Sequence, residues 1–108
     1  MPKKEIACFS PGNPMRMLDE IMYKLGEYDH LVTYMRRIPC ELETHNVRLN
    51  IFTQPQQLKG RQFDEIFGFP VESVWPYRKN KKLKPFTGSL INYILREEGL
   101  INADDIYY

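Results

Sequence analysis

Asn46 to Phe69 reads NVRLNIFTQPQQLKGRQFDEIFGF: two β-like apolar runs joined by a polar, basic connector that contains Gly60. In the first run Val47, Leu49, Ile51 and Thr53 alternate with Arg48, Asn50 and Phe52, the period-2 signal of a strand with one buried face. The second run, Gln62 to Phe69, is closed by Pro70. The connector Gln54 to Arg61 is longer than a tight hairpin turn, and the two runs are expected to form adjacent strands.

Upstream, Glu5 to Ser10 is a short apolar run leading into a Pro/Gly/Asn loop, so it is expected as a strand followed by a turn. Met15, Leu18, Ile21, Met22 and Leu25 then repeat at the spacing of one helix face. Asn13 supplies an N-cap, Pro14 a first helical residue and Gly26 a stop. Tyr28 to Arg37 fits either a strand, through Val32, Thr33 and Tyr34, or a helix, through Leu31 and Met35; Pro39 ends it in both cases.

Downstream, Trp75 to Pro85 reads as an exposed loop. Thr87-Gly88-Ser89 opens a helix through Leu90, Ile91, Tyr93 and Ile94 that stops near Gly99, and the final stretch is a tail able to dock through Ile106 and its tyrosines. The expected architecture is a single domain over residues 1–108. It is α/β, or α+β, with one small three- to four-stranded sheet and two or three helices.

At 108 residues with 43% apolar and 27% charged side chains, the composition is that of a folded protein rather than a disordered one. The first residues, MPKKEIACFSPG, lack the apolar core of a signal peptide, and no apolar run approaches membrane-spanning length. A cytoplasmic setting, with Cys8 and Cys40 reduced, is therefore expected. The net charge of +1 hides an asymmetry: residues 78–84 hold five basic residues and no acidic one. Such a patch raises the local concentration of anionic partners.

Leu58-Lys59-Gly60-Arg61-Gln62-Phe63-Asp64, preceded by strand, Gly/Pro loop, helix and strand, resembles the P-loop ATPase core of phage large terminases and related DNA motors. In that family a similar connector leads into the apolar strand that bears the metal-binding carboxylates, a place taken here by Glu65 to Phe69. The resemblance covers about residues 5–70 and implies a phage or mobile-element setting, hence host cytoplasm. Both nucleotide motifs are degenerate. Pro11-Gly12-Asn13-Pro14-Met15-Arg16-Met17 has neither the lysine nor the hydroxyl of a phosphate-binding loop, and Gly68, Phe69 and Pro70 stand where magnesium ligands would. The resemblance thus implies a lost activity.

The adjacent carboxylates Asp19-Glu20, Asp64-Glu65 and Asp104-Asp105 do not converge on one substrate; solvated charges, or strand-end partners for Arg48 and Arg61, are expected of Asp64 and Glu65. His30, His45, Cys8 and Cys40 lack metal-ligand spacing. No catalytic residue, metal or cofactor is expected.

Arg78, Lys79, Lys81, Lys82 and Lys84, flanked by Trp75, Tyr77 and Phe86, combine phosphate-neutralising cations with rings that stack on bases. The bland alternative is a solubilising loop whose aromatics anchor the core. Lys59, Arg61 and Arg48 extend the same basic set, and Arg16, Arg36 and Arg37 join it if they share its face; the alternative for Arg16, Arg36, Arg37 and Arg48 is pairing with Glu41, Glu43 or Glu27. The sequence thus points to a non-catalytic binding module contacting nucleic acid, or an acidic protein surface as an inhibitor or adaptor. A degenerate nucleotide-binding domain is the further alternative.

Overall fold

Ile6, Ala7 and Cys8 are consecutive and all buried, the burial of a strand covered on both faces. They belong to β1 (Lys4–Phe9), which lies inside a five-stranded sheet. The computed structural model describes residues 2–101, with the elements following β1 in the order α1 (Pro14–Leu25), β2 (Tyr34–Arg37), β3 (Cys40–Glu43), β4 (Val47–Phe52), β5 (Glu65–Phe67), α2 (Val71–Val74) and α3 (Leu90–Glu97). The strand order is β2-β3-β4-β1-β5. β4 and β5 both run parallel to β1, from Lys4 opposite Val47 on one side and Ile6 opposite Glu65 on the other. β2, β3 and β4 form an antiparallel extension.

Two expectations are corrected here. β4 and β5 are not adjacent, because β1 lies between them; parallel strands cannot be joined by a tight turn, and residues 53–64 form the crossover. The sheet also has five strands rather than three or four. Tyr34 to Arg37 resolves as a strand after a 3₁₀ turn over Gly26–Leu31, and Cys40 to Glu43 pairs with it across the Ile38-Pro39 turn.

The helix signals hold locally. The Asn13 side chain accepts the Met15 N–H at 2.9 Å, and Gly26, at φ 56°, receives the chain as α1 ends. Ser89 caps α3 by accepting the Asn92 N–H. α1 and α3 cover one sheet face, packing Leu18, Ile21, Leu25, Tyr93 and Ile94 against Ile6, Leu42 and Leu49. On the other face Ala7, Phe52, Leu58, Phe63, Phe69 and Val74 form a second core. Each fully buried aliphatic or aromatic side chain of this kind contributes roughly 1.5–3 kcal/mol. This second core explains why Asn50 and Phe52, expected on the solvent side of β4, are buried. The tail expected to dock through Ile106, with Asp104 and Asp105, lies outside the described residues.

Candidate functional site

The crossover from β4 to β5 builds the site. A 3₁₀ turn over Pro55–Leu58 is capped reciprocally by Gln54 and Gln57 and anchored by fully buried Leu58. Lys59 and Gly60 follow, Gly60 at φ 78°, a left-handed conformation that favours glycine. The Arg61 N–H then closes the turn on the Leu58 carbonyl at 3.1 Å. Arg61 is exposed, yet its guanidinium sits over two rings of the second core, 5.3 Å from the Phe52 centroid and 5.1 Å from that of Phe63.

Phe63 joins this turn to the basic loop. Its N–H donates to the Tyr77 carbonyl at 2.7 Å, and its carbonyl accepts the Lys79 N–H at 2.8 Å. Residues around Phe63 and Arg78 therefore run side by side in parallel, so two segments that the sequence separates become one strip. Gly60, Arg61, Gln62, Pro76 and Tyr77 line an open cleft of about 550 Å³ on it.

Arg78, expected as an exposed contact residue, is instead 2% exposed. Its guanidinium lies 3.7 Å from the Glu65 carboxylate and 5.3 Å from the Trp75 ring centroid. The other Glu65 oxygen accepts the Phe86 N–H at 3.2 Å. Burial pushes the Glu65 carboxyl above its ordinary range, against the opposing pull of Arg78 and of two backbone N–H groups. The charge of Arg78 is thus spent on fastening the loop to β5. Half-buried Phe86 serves the same end, stacking edge-to-face with Phe67 and Tyr93 at 6.2 and 5.2 Å.

Lys79 reaches Asp64 at 3.3 Å, while Asp64 also accepts the Glu5 N–H at 2.8 Å. The partners of Asp64 and Glu65 are therefore Lys79 and Arg78, not Arg48 and Arg61 as expected. Arg48 is committed elsewhere, to Glu5 at 3.0 Å and Glu43 at 3.3 Å, and does not join the strip. Arg37 likewise pairs with Asp19 at 3.2 Å. Lys81, Lys82 and Lys84 are exposed on a turn that Asn80 organises by accepting the Lys82 N–H. Among the described residues, Lys59, Arg61, Lys81, Lys82 and Lys84 form no ion pair. Tyr77 and Trp75 are half-buried, each with part of its surface open.

Sequence reasoning missed Phe52, Phe63, Gln62 and Pro76. Phe63, two residues past Arg61, carried a legible signal: a ring at that spacing from a cation on an extended segment lies on the same side.

At the loop compared with a phosphate cradle, the Asn13 carbonyl already takes the Arg16 and Met17 N–H groups. An apolar cavity of about 400 Å³ between α1 and the start of α3 includes Cys8, but burial pushes that thiol up to about 11, which suppresses the thiolate. Among the described residues no cluster of His, Cys, Asp and Glu could hold a metal, and no helix is long and apolar enough to cross a membrane. No protein-family model matches this chain, and comparison with curated proteins and with solved structures found no match either.

Proposed function

We propose that this chain is a small non-catalytic binding module that contacts nucleic acid through the strip formed by Lys59–Phe63 and Trp75–Lys84. The observation that carries this reading is the pairing of Phe63 with Arg78, which sets two basic, aromatic segments side by side. The cations available to phosphates are Lys59, Arg61, Lys81, Lys82 and Lys84; Arg78 acts as an internal fastener. Binding of this kind releases counterions and weakens steeply with salt.

The test is fluorescence anisotropy with short labelled DNA and RNA, at low and rising salt, for the native chain and for Lys81→Gln, Lys82→Gln, Lys84→Gln combined with Lys59→Gln. Loss of binding in the quadruple variant, with its fold intact, supports the reading. Unchanged affinity in the variant, or no binding by the native chain at low salt, overturns it.

A second reading, a protein-docking inhibitor or adaptor, is favoured by the edge strand β2. Tyr34 and Met35 on it, and Ile38 just beyond, are 42%, 39% and 77% exposed. Retention of one stoichiometric protein after nuclease treatment, lost on Met35→Glu, would favour it. The phage or mobile-element setting rests on the resemblance of Leu58 to Asp64 alone.

A further inference from the structure

Arg61 is held in place in a way the lysines are not. Phe52 and Phe63 meet edge-to-face at 5.8 Å and 72°, and both are buried, so they cover one side of the guanidinium and leave its other side to solvent. That outer side belongs to the cleft. Gly60 contributes no side chain there, and a Cβ at its position would meet nothing within 4 Å. Half-buried Tyr77 offers a ring, and exposed Gln62 an amide that both donates and accepts.

A planar cation backed by two rings, a further aromatic side chain and an amide suit a flat π-faced group with hydrogen-bonding edges and a negative charge nearby. A duplex keeps its base faces inside the stack, where no side chain of this cleft reaches them. Resting on the nucleic-acid reading above, we infer that the cleft takes an unpaired base, so the module binds single strands, its lysines holding the flanking phosphates.

The experiment compares a labelled oligothymidylate, the same strand with central abasic sites, an oligouridylate, and a duplex of equal length, all at one salt concentration. The abasic strand keeps its phosphates and loses only base faces. Native protein is expected to bind the base-bearing strand about five- to tenfold more tightly than the abasic one. Arg61→Lys retains the charge but not the planar guanidinium, and is expected to remove that preference while leaving the salt dependence unchanged.

Equal native affinity for base-bearing and abasic strands overturns the inference while leaving electrostatic nucleic-acid binding intact. So does a duplex bound as tightly as the single strand, or an Arg61→Lys variant that keeps the preference. Absence of binding to every probe overturns both. The thymidylate and uridylate arms decide whether DNA or RNA fits better.

Discussion

Arg78 and Glu65 form an ion pair at 3.7 Å with their side chains only 2% and 6% exposed, beneath a loop that is otherwise rich in solvated lysines. None of the three guanidinium nitrogens finds a hydrogen-bond acceptor among the described residues, so the attraction of Glu65 is its main compensation for leaving water. Arg78→Met leaves the Glu65 carboxylate buried without its partner and is expected to cost about 3–5 kcal/mol. The double variant Glu65→Gln, Arg78→Met should be less destabilised than Arg78→Met alone. Urea unfolding of the two checks this, and equal stabilities would show that the pair is not coupled.

The same carboxyl gives a pH dependence of determinate sign. Its folded pKa is raised above the ordinary 4.5, so the folded state holds the proton more tightly than the unfolded chain does. The associated stability is fully present below about pH 4.5 and is lost as pH rises through the folded value. Relative to Glu65→Gln, the native chain should therefore lose stability on going from pH 4 upward to neutrality. Unfolding midpoints of both proteins across that range test it; a constant difference would contradict the raised pKa.

Gly60 and Gly68 separate two costs of a side chain. Both have positive φ, 78° and 86°, so alanine at either is strained by about 1–2 kcal/mol. At Gly60 the new Cβ meets open space, whereas at Gly68 it lies 3.2 Å from both Cβ and the carbonyl oxygen of Phe9. Gly68→Ala should melt lower than Gly60→Ala, by a further ~1 kcal/mol. Matched melting temperatures would refute the crowding at Phe9.

Ion pairing divides the lysines of the strip. The salt slope of binding counts cations that displace counterions on contact, and the Lys79 ammonium is turned toward Asp64. Lys81→Gln is expected to lower the slope for a single strand by ~0.7, and Lys79→Gln to leave it unchanged. Anisotropy titrations at several salt concentrations measure both slopes.

Thiol chemistry should be silent in the folded chain. Burial pushes Cys8 up to about 11 and raises Cys40 as well, so at pH 8 the thiolate of Cys8 is on the order of one part in a thousand. Ellman's reagent should react slowly with native protein and fully with two thiols in guanidinium. A fast stoichiometric reaction under native conditions would place a thiolate where none is expected.

Local signals were legible in the sequence, and partnerships between distant segments were not. Asn13 and Ser89 open their helices through their side chains, and Gly26 ends α1 through its backbone, because capping is decided within a few residues. Cys40 to Glu43 is too short to show a period, and only its pairing with Tyr34–Arg37 and β4 makes it a strand. Arg78 was misjudged for a related reason: a cation inside a run of lysines has the composition of a surface residue. Its burial depends on Glu65, which reaches it only when the chain returns past β5. The Arg61 cleft was half legible, since Gly60, Arg61 and Gln62 stand in one heptapeptide while Tyr77 and Pro76 arrive from another segment.

The position of β1 between two later strands bears on how the chain is made. Glu5 contacts Arg48 and Asp64, partners 43 and 59 residues further along. A ribosome adding roughly 5–20 residues per second exposes β1 for several seconds before either neighbour exists. Throughout that interval its apolar run has two open edges, each able to pair with any other extended chain until β4 and β5 arrive.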